Sequence, residues 1–196
     1  MKRTSAFLAL TALTALALPA LAGTIKGRIT IPRARTLADV VVYVDKAPGT
    51  FPAPKAHAVI NQKDLAFVPH VMPIVAGTTV DFLNSDQVLH NVFSPDKCVN
   101  KFNLGTWPKG EVRSYTFANV GCASVVLCNV HPEMEGFVLA LQNPFYAVTD
   151  KSGLFVIKDV PEGRYTIKAW NRKYLDVTQD VAVPKEGDVP CNLALK

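Results

Sequence analysis

The stretch Cys128-Asn129-Val130-His131-Pro132-Glu133-Met134 decides how this sequence is interpreted, because it separates two apolar runs. The runs on either side, Ser124–Cys128 and Gly136–Leu141, have the length and composition of β-strands. The loop between them carries a thiol, an imidazole and a thioether at three-residue intervals. A second imidazole, His90, comes earlier, in the predicted strand Val88–Phe93. The sequence therefore places four metal-ligating side chains beside predicted strands.

The types of these four ligands point to copper. Two imidazoles and one thiolate with a weak thioether form the ligand set of a blue-copper electron-transfer site. We take His90, Cys128, His131 and Met134 as the candidate ligands. Zinc is the alternative, with Glu133 as a possible fourth ligand, but a thioether is unusual for zinc. The sequence has no C-x-x-C-H, H-E-x-x-H or G-x-S-x-G motif.

Short β-type runs divided by Pro, Gly, Asn and Asp extend outward from this loop in both directions. Val80 and Phe82 share one face of their strand, and one helical turn is possible within Asp96–Leu104. Many short strands with regular turns predict an all-β sandwich or barrel. The predicted strands are Ile25–Ile31, Asp39–Val44, Ala56–Asn61, Val71–Val75, Thr78–Leu83, Val88–Phe93, Val112–Phe117, Ser124–Cys128, Gly136–Leu141, Leu154–Ile157, Tyr165–Trp170, Val177–Val183 and Cys191–Leu195.

Three segments in chain order resemble the cupredoxin family, in particular its plastocyanin and amicyanin branch. They are V-A-G-T-T-V-D-F-L-N (75–84), H-N-V (90–92) and C-N-V-H-P-E-M (128–134), and the short last loop is similar to that of amicyanin. The wider chain also resembles periplasmic proteins described as methylamine utilization or plastocyanin-like. The resemblance covers about Ala56 to Leu141.

This resemblance implies a Greek-key β-sandwich that holds one type 1 copper ion for single-electron transfer. His90, Cys128 and His131 would be the equatorial ligands and Met134 the axial one. The H-N motif implies that the Asn91 side chain ties the Cys128 loop to the His90 strand, although an Asn that only caps a turn is the alternative.

Two further residues, Pro132 and His70, are not among the four predicted ligands. Pro132 lacks an N–H and would stiffen the loop behind His131. We interpret His70 as a partly exposed strand histidine, with a role as a fifth ligand as the alternative.

A second module is indicated after Asn143-Pro144, where two turns and two strands form a predicted hairpin. The hairpin resembles carboxypeptidase-regulatory-like (transthyretin-like) β-sandwich modules, and Gly23–Ile31 with Val40–Val44 resembles the start of such a module. We therefore predict that residues 23–55 and 143–196 form a small second β-sandwich around a cupredoxin domain at 56–142. The alternative is that residues 24–44 are the first cupredoxin strands.

The cysteines at 98, 122, 128 and 191 include no C-x-x-C pair. Cys98 lies in the loop after the predicted His90 strand, and Cys122 lies just before the strand that leads to Cys128. We favour a disulfide between them, with Cys191 unpaired because one cysteine must remain once Cys128 binds a metal. Three buried free thiols are the alternative.

The amino terminus predicts export. A positive start, an apolar run and Ala20-Leu21-Ala22 form the pattern of a cleaved signal peptide at residues 1–22, and no second apolar segment of membrane-spanning length follows. We expect a periplasmic monomer without a membrane span after cleavage. The chain has a formal net charge of +5 without a Lys/Arg block, which gives no sign of nucleic-acid binding.

These features predict an electron carrier and not an enzyme, because a type 1 site has no vacant position for a substrate. The expected partner is a cytochrome or a dehydrogenase. His131 would be the electron port, within a docking patch of Val130, Pro132 and Phe137. The alternatives are a copper-binding or storage protein, or a β-sandwich binding module with a structural metal.

Overall fold

The structure is a computed structural model that describes residues 22–196. Apart from Ala22, which begins the first strand, the expected export signal lies outside the described residues. A single 3₁₀ turn, Lys97–Val99, falls inside the segment where one helical turn was expected. The strands are β1 Ala22–Thr30, β2 Val41–Val44, β3 Ala58–Lys63, β4 Ala66–Val68, β5 Val71–Val75, β6 Thr78–Asn84, β7 His90–Ser94, β8 Phe102–Trp107, β9 Val112–Phe117, β10 Cys122–Leu127, β11 Glu135–Leu141, β12 Tyr146–Val148, β13 Leu154–Pro161, β14 Gly163–Asn171, β15 Tyr174–Val183, β16 Gly187–Pro190 and β17 Leu193–Ala194.

Strands β3 to β11 form one sandwich, here called the central sandwich. One sheet has the order β5-β11-β10-β7-β8 and the other β4-β3-β6-β9, and the chain crosses between them after β4, β5, β6, β8 and β9. The alternation expected in β6 is present, because Val80 and Phe82 are buried while Thr79 and Asp81, the residues that alternate with them, are not. The protein is therefore all-β, and this part has the crossed connections of a Greek-key sandwich.

The remaining strands form a second sandwich, here called the outer sandwich, from both ends of the chain. Its sheets are β13-β1-β16, in which β17 also pairs with β1, and β12-β2-β14-β15. Ile25, Val42 and Ile167 lie in its apolar core. Residues 24–44 thus pair with the C-terminal strands and are not the first strands of the central sandwich.

The two sandwiches pack together through the β5–β11 pair. Every residue of β11 after Glu135 is buried, because one face of the strand packs on the central core and the other on the outer sandwich. Phe137 and Leu139 of β11 meet Val41 of β2 and Trp170 of β14 at this junction. The junction places the outer sandwich beside the chain segment that directly follows the 128–134 loop.

Candidate metal centre

Three ligating side chains predicted from the sequence meet at one end of the central sandwich. His90 begins β7, Cys128 directly follows β10, and His131 lies in the loop between β10 and β11. The Nδ1 atoms of the two histidines are 3.2 Å apart, and the Cys128 Sγ lies 3.9 Å from one and 4.0 Å from the other. A point equidistant from the three atoms is about 2.2 Å from each, the length of a metal bond to nitrogen or sulfur. The cluster therefore fits a single metal ion at its centre.

The orientation of His90 is fixed by a carboxylate that the sequence analysis did not identify. Asp86 Oδ2 lies 2.9 Å from His90 Nε2, and the amides of Asp64 and Leu65 donate to the same carboxylate at 2.8 and 3.0 Å. Burial raises the pKa of Asp86, but the Leu65 amide and the His90 ring help to hold that pKa below its usual range. When Nε2–H donates a hydrogen bond to the Asp86 carboxylate, the unprotonated Nδ1 is free to bind a metal.

Asn91 connects the two segments that carry the ligands. Its side-chain oxygen accepts a hydrogen bond from the Asn129 amide at 3.2 Å, and its backbone amide donates to Cys128 Sγ at 3.4 Å. Its side-chain amide donates to Asn103 Oδ1 and to the Gly105 carbonyl of β8. Asn91 is therefore not a plain turn cap, because its side chain links β7 to β8 and to the ligand loop.

The rest of the 128–134 loop forms a turn between His131 and Met134. The Met134 amide donates to the His131 carbonyl at 3.0 Å, and the Met134 side chain is buried in the same core cluster as Cys128. Pro132 and Glu133 are exposed in this turn. Among residues 22–196, the one group of potential His, Cys or carboxylate ligands comprises His90, Cys128 and His131, so Glu133 is not part of it.

The two other histidines lie away from the cluster. His70 Nδ1 is 3.0 Å from Asp39 Oδ2 at the junction of the sandwiches, and the side chain is 42% exposed. The partial exposure was expected, but His70 lies in the bend between β4 and β5 and not in a strand. His57 Nδ1 is 2.9 Å from Oδ1 of Asp81, which lies in β6 of the central sandwich.

Cys98 and Cys122 are joined by a disulfide, with their Cα atoms 5.9 Å apart. The bond links the 3₁₀ turn to the first residue of β10, about 20 Å along that strand from Cys128 at the other end. Cys191 is a free thiol in the core of the outer sandwich, where burial raises its pKa. The disulfide therefore braces the end of the central sandwich opposite the cluster.

Exposed apolar side chains surround the cluster, but they differ from the expected set. Val88, Leu89 and Val130 are 44–52% exposed on the segments that carry His90 and His131, and Leu65 is 44% exposed on the turn that binds Asp86. Phe137 was expected in this patch and that expectation is wrong. Its ring is buried in the junction because β11 points it toward the outer sandwich.

No protein-family model and no curated protein sequence matches the chain, whereas solved structures do. A copper-containing nitrite reductase from Thermus scotoductus SA-01 is 25% identical over 48% of this chain and 24% of its own, with a TM-score of 0.40. A purple cupredoxin from Nitrosopumilus maritimus is 26% identical over 42% of this chain and 98% of its own, with a TM-score of 0.38. A reduced amicyanin with a single substitution is 20% identical over 50% of this chain and 97% of its own, with a TM-score of 0.42. The chain spans about a quarter of the reductase's length.

The fold and the cluster define a class of molecule. It is an all-β protein of two sandwiches, and the central one carries a His–Cys–His cluster in which His90 and Cys128 are buried and His131 is partly exposed. No helix in residues 22–196 has both the length and the apolar content of a membrane-spanning segment.

Proposed function

We propose that this chain is a type 1 copper protein that carries single electrons between redox partners in the periplasm. The observation that carries the proposal is the cluster of His90 Nδ1, His131 Nδ1 and Cys128 Sγ at mutual distances of 3.2–4.0 Å. Imidazole and thiolate donors with a distant thioether suit both Cu(II) and Cu(I), so that little rearrangement accompanies a change of charge. The copper ion would supply the one-electron couple.

In this proposal each residue of the site has a defined role. His90, Cys128 and His131 would bind one copper ion, and Met134 would be a weak fourth ligand that sets the reduction potential. Asp86 fixes the His90 ring, and Asn91 holds the two ligand segments together. Copper is favoured over zinc because Met134 is buried in the same hydrophobic core as Cys128, whereas Glu133 is exposed to solvent.

Electrons would enter and leave through His131, the partly exposed member of the cluster. The surrounding Val88, Leu89 and Val130 offer a small apolar surface, which suits weak and transient contact with a cytochrome or a dehydrogenase. With Met134 as a fourth ligand beside His90, Cys128 and His131, the metal would have no vacant position for a substrate, so we propose a carrier and not an enzyme.

A periplasmic location is part of the same proposal. The export pattern of residues 1–22 and the Cys98–Cys122 disulfide both suit an oxidising compartment outside the cytoplasm. The likeness of residues 23–55 and 143–196 to carboxypeptidase-regulatory-like modules remains a proposal of the same kind.

Voltammetry of the protein loaded with one equivalent of copper tests the carrier function. We expect a reversible one-electron couple, and a Met134→Gln variant that retains copper but changes the reduction potential. Met72→Gln, a matched change of a half-buried methionine in β5, should leave the potential unchanged. Copper bound without a reversible couple would instead indicate storage or a structural metal.

A further inference from the structure

A cleft of about 390 Å³ opens where the two sandwiches meet, beside the end of the ligand loop. Its walls come from residues 31–39 after β1, from His70 with Glu135 and Phe137, and from the turn at 171–174 between β14 and β15. This volume is in the range of sites for small molecules. None of the proposed copper ligands lines it, so the cleft is separate from the metal centre.

Positive charge is in excess in this cleft. Arg33, Arg35, Arg172 and Lys173 line it, whereas the carboxylates are only Asp39 and Glu135. Both carboxylates already have partners across the junction, since Asp39 binds His70 and Glu135 binds Arg172.

The remaining cations have no such partner. Within residues 22–196 no carboxylate pairs with Arg33, Arg35 or Lys173, and residues 1–21 contain no Asp or Glu. An anion could therefore bind there without displacing an existing ion pair of these three side chains.

The cleft also has an apolar wall. The Arg172 guanidinium carbon lies 5.4 Å from the centroid of the Phe137 ring, and the His70 ring meets the same ring edge-on at 5.6 Å. Val71 and Tyr174 extend this wall. A ligand that fits must then combine an anionic group with an apolar body.

The backbone that presents the cations is held in place. Arg33 and Asp39 adopt left-handed conformations, with φ of 61° and 62°, which costs on the order of 1 kcal/mol for residues other than glycine. The Asn171 side chain donates to the Asp39 carbonyl at 3.2 Å and accepts from the Lys173 amide at 3.0 Å. One asparagine thus connects the two rims of the cleft, which pre-organises the site for a ligand.

We propose that this cleft binds a small organic anion that carries a carboxylate or phosphate group on an apolar body. Arg35 and Lys173 bind the anionic group, and the apolar body lies against Phe137. Arg172 exchanges its partner Glu135 for the ligand.

Titrations of the full chain with phenyl phosphate and with benzoate, followed by amide chemical shifts, test this site and distinguish the two anionic groups. We expect saturable one-to-one binding of at least one of them, with shifts at Arg35, Glu135 and Lys173, and no such binding of neutral benzyl alcohol. The double variant Arg35→Gln/Lys173→Gln should weaken binding at least tenfold. Arg164→Gln/Lys185→Gln removes the same charge from exposed positions outside the cleft and should change affinity less than twofold.

Glu135→Gln supplies a test with the opposite sign, because it frees Arg172 and should tighten binding severalfold. General damage to the fold would weaken binding instead. Absence of saturable binding, equal losses in the two double variants, weaker binding by Glu135→Gln, or binding of polyglutamate but of neither small anion would each overturn the proposal.

Discussion

The central and outer sandwiches differ most in the polarity of the side chains that they bury. Seven of the nine buried polar side chains in residues 22–196 belong to the central sandwich, among them Gln62, Asn84, His90 and Asn91. The outer sandwich closes instead on an apolar core that includes Ile25 and Ile167. Both sandwiches are built from β-strands, so we attribute the difference to the polar ligand site that the central sandwich contains.

Burying polar groups lowers stability unless each finds a partner. His90 and Asn91 have theirs in Asp86, Asn129 and Asn103. The buried side-chain polar atoms without a partner in residues 22–196 are on Asn61, Gln62 and Trp107, all in the central sandwich. The central sandwich therefore buries polar groups at a cost in stability, whereas the core of the outer sandwich is apolar.

Truncating each core should give the largest effects and separate the two sandwiches. Phe82→Ala should lower the free energy of unfolding by about 3–5 kcal/mol, and Ile167→Ala by about 2–5 kcal/mol. Only Phe82→Ala should also weaken copper binding, since β6 leads directly into the turn that carries Asp86. Urea denaturation and copper titration measure the two effects. Equal loss of copper affinity in both variants would show that the sandwiches do not act separately.

Removing the Cys98–Cys122 disulfide should lower the stability of the central sandwich by about 3 kcal/mol, because the bond joins cysteines 24 positions apart in the chain. Denaturation of the double serine variant measures this effect. The bond itself is checked in the metal-free wild type, unfolded without reductant, where a thiol reagent should label only Cys128 and Cys191. Labelling of all four cysteines would contradict the bond.

Asp86→Asn should lower copper affinity about 10- to 100-fold, because it removes the negative charge that fixes and polarises His90. Asp188→Asn, the same change in an exposed pair with Lys26 of the outer sandwich, is the matched control and should leave copper affinity unchanged. Competition with a copper chelator measures both. An unchanged affinity for Asp86→Asn would assign the orientation of His90 to other contacts.

Replacing Asp81 with Asn should have the smallest effect on stability, and this effect should depend on pH. The Ser114 hydroxyl, followed by His57, holds the pKa of Asp81 below its usual value of 3.8. A lowered carboxyl pKa stabilises the folded state above the unfolded-state value and ceases to do so as the pH falls through the folded-state value. The Tm of the wild type should therefore exceed that of Asp81→Asn at pH values above the usual carboxyl pKa of 3.8, and the difference should shrink as the pH falls below it. A Tm difference that does not change with pH would show that the lowered pKa of Asp81 is not its cause.

Strong periodic patterns in the sequence predicted the long strands of both sandwiches, such as β6 and β14. Four strands were missed, namely Ala66–Val68, Phe102–Trp107, Tyr146–Val148 and Gly187–Pro190. Three of these have three or four residues, too few to show alternation, and Phe102–Trp107 has Asn and Gly at positions that favour turns. Their strand conformation comes from pairing with neighbours such as β7.

The sequence indicated the three ligating side chains of the cluster, but it did not indicate Asp86, which orients His90. The spacing of Cys128 and His131 is local, so a motif reveals it. Asp86 reaches His90 because a turn braced by Asn84 folds it back, and only the folded structure shows this contact. The direction of Phe137 depends likewise on the packing of β11 against the outer sandwich.

The absorption and electron paramagnetic resonance spectra of the copper-loaded protein test the central claim most directly. We expect an intense visible thiolate-to-copper charge-transfer band and a copper hyperfine splitting reduced by delocalisation onto sulfur, both absent in Cys128→Ser. A wild-type protein that binds one equivalent of copper without colour, or a Cys128→Ser variant that stays blue, would contradict the assignment of His90, Cys128 and His131 as a type 1 site.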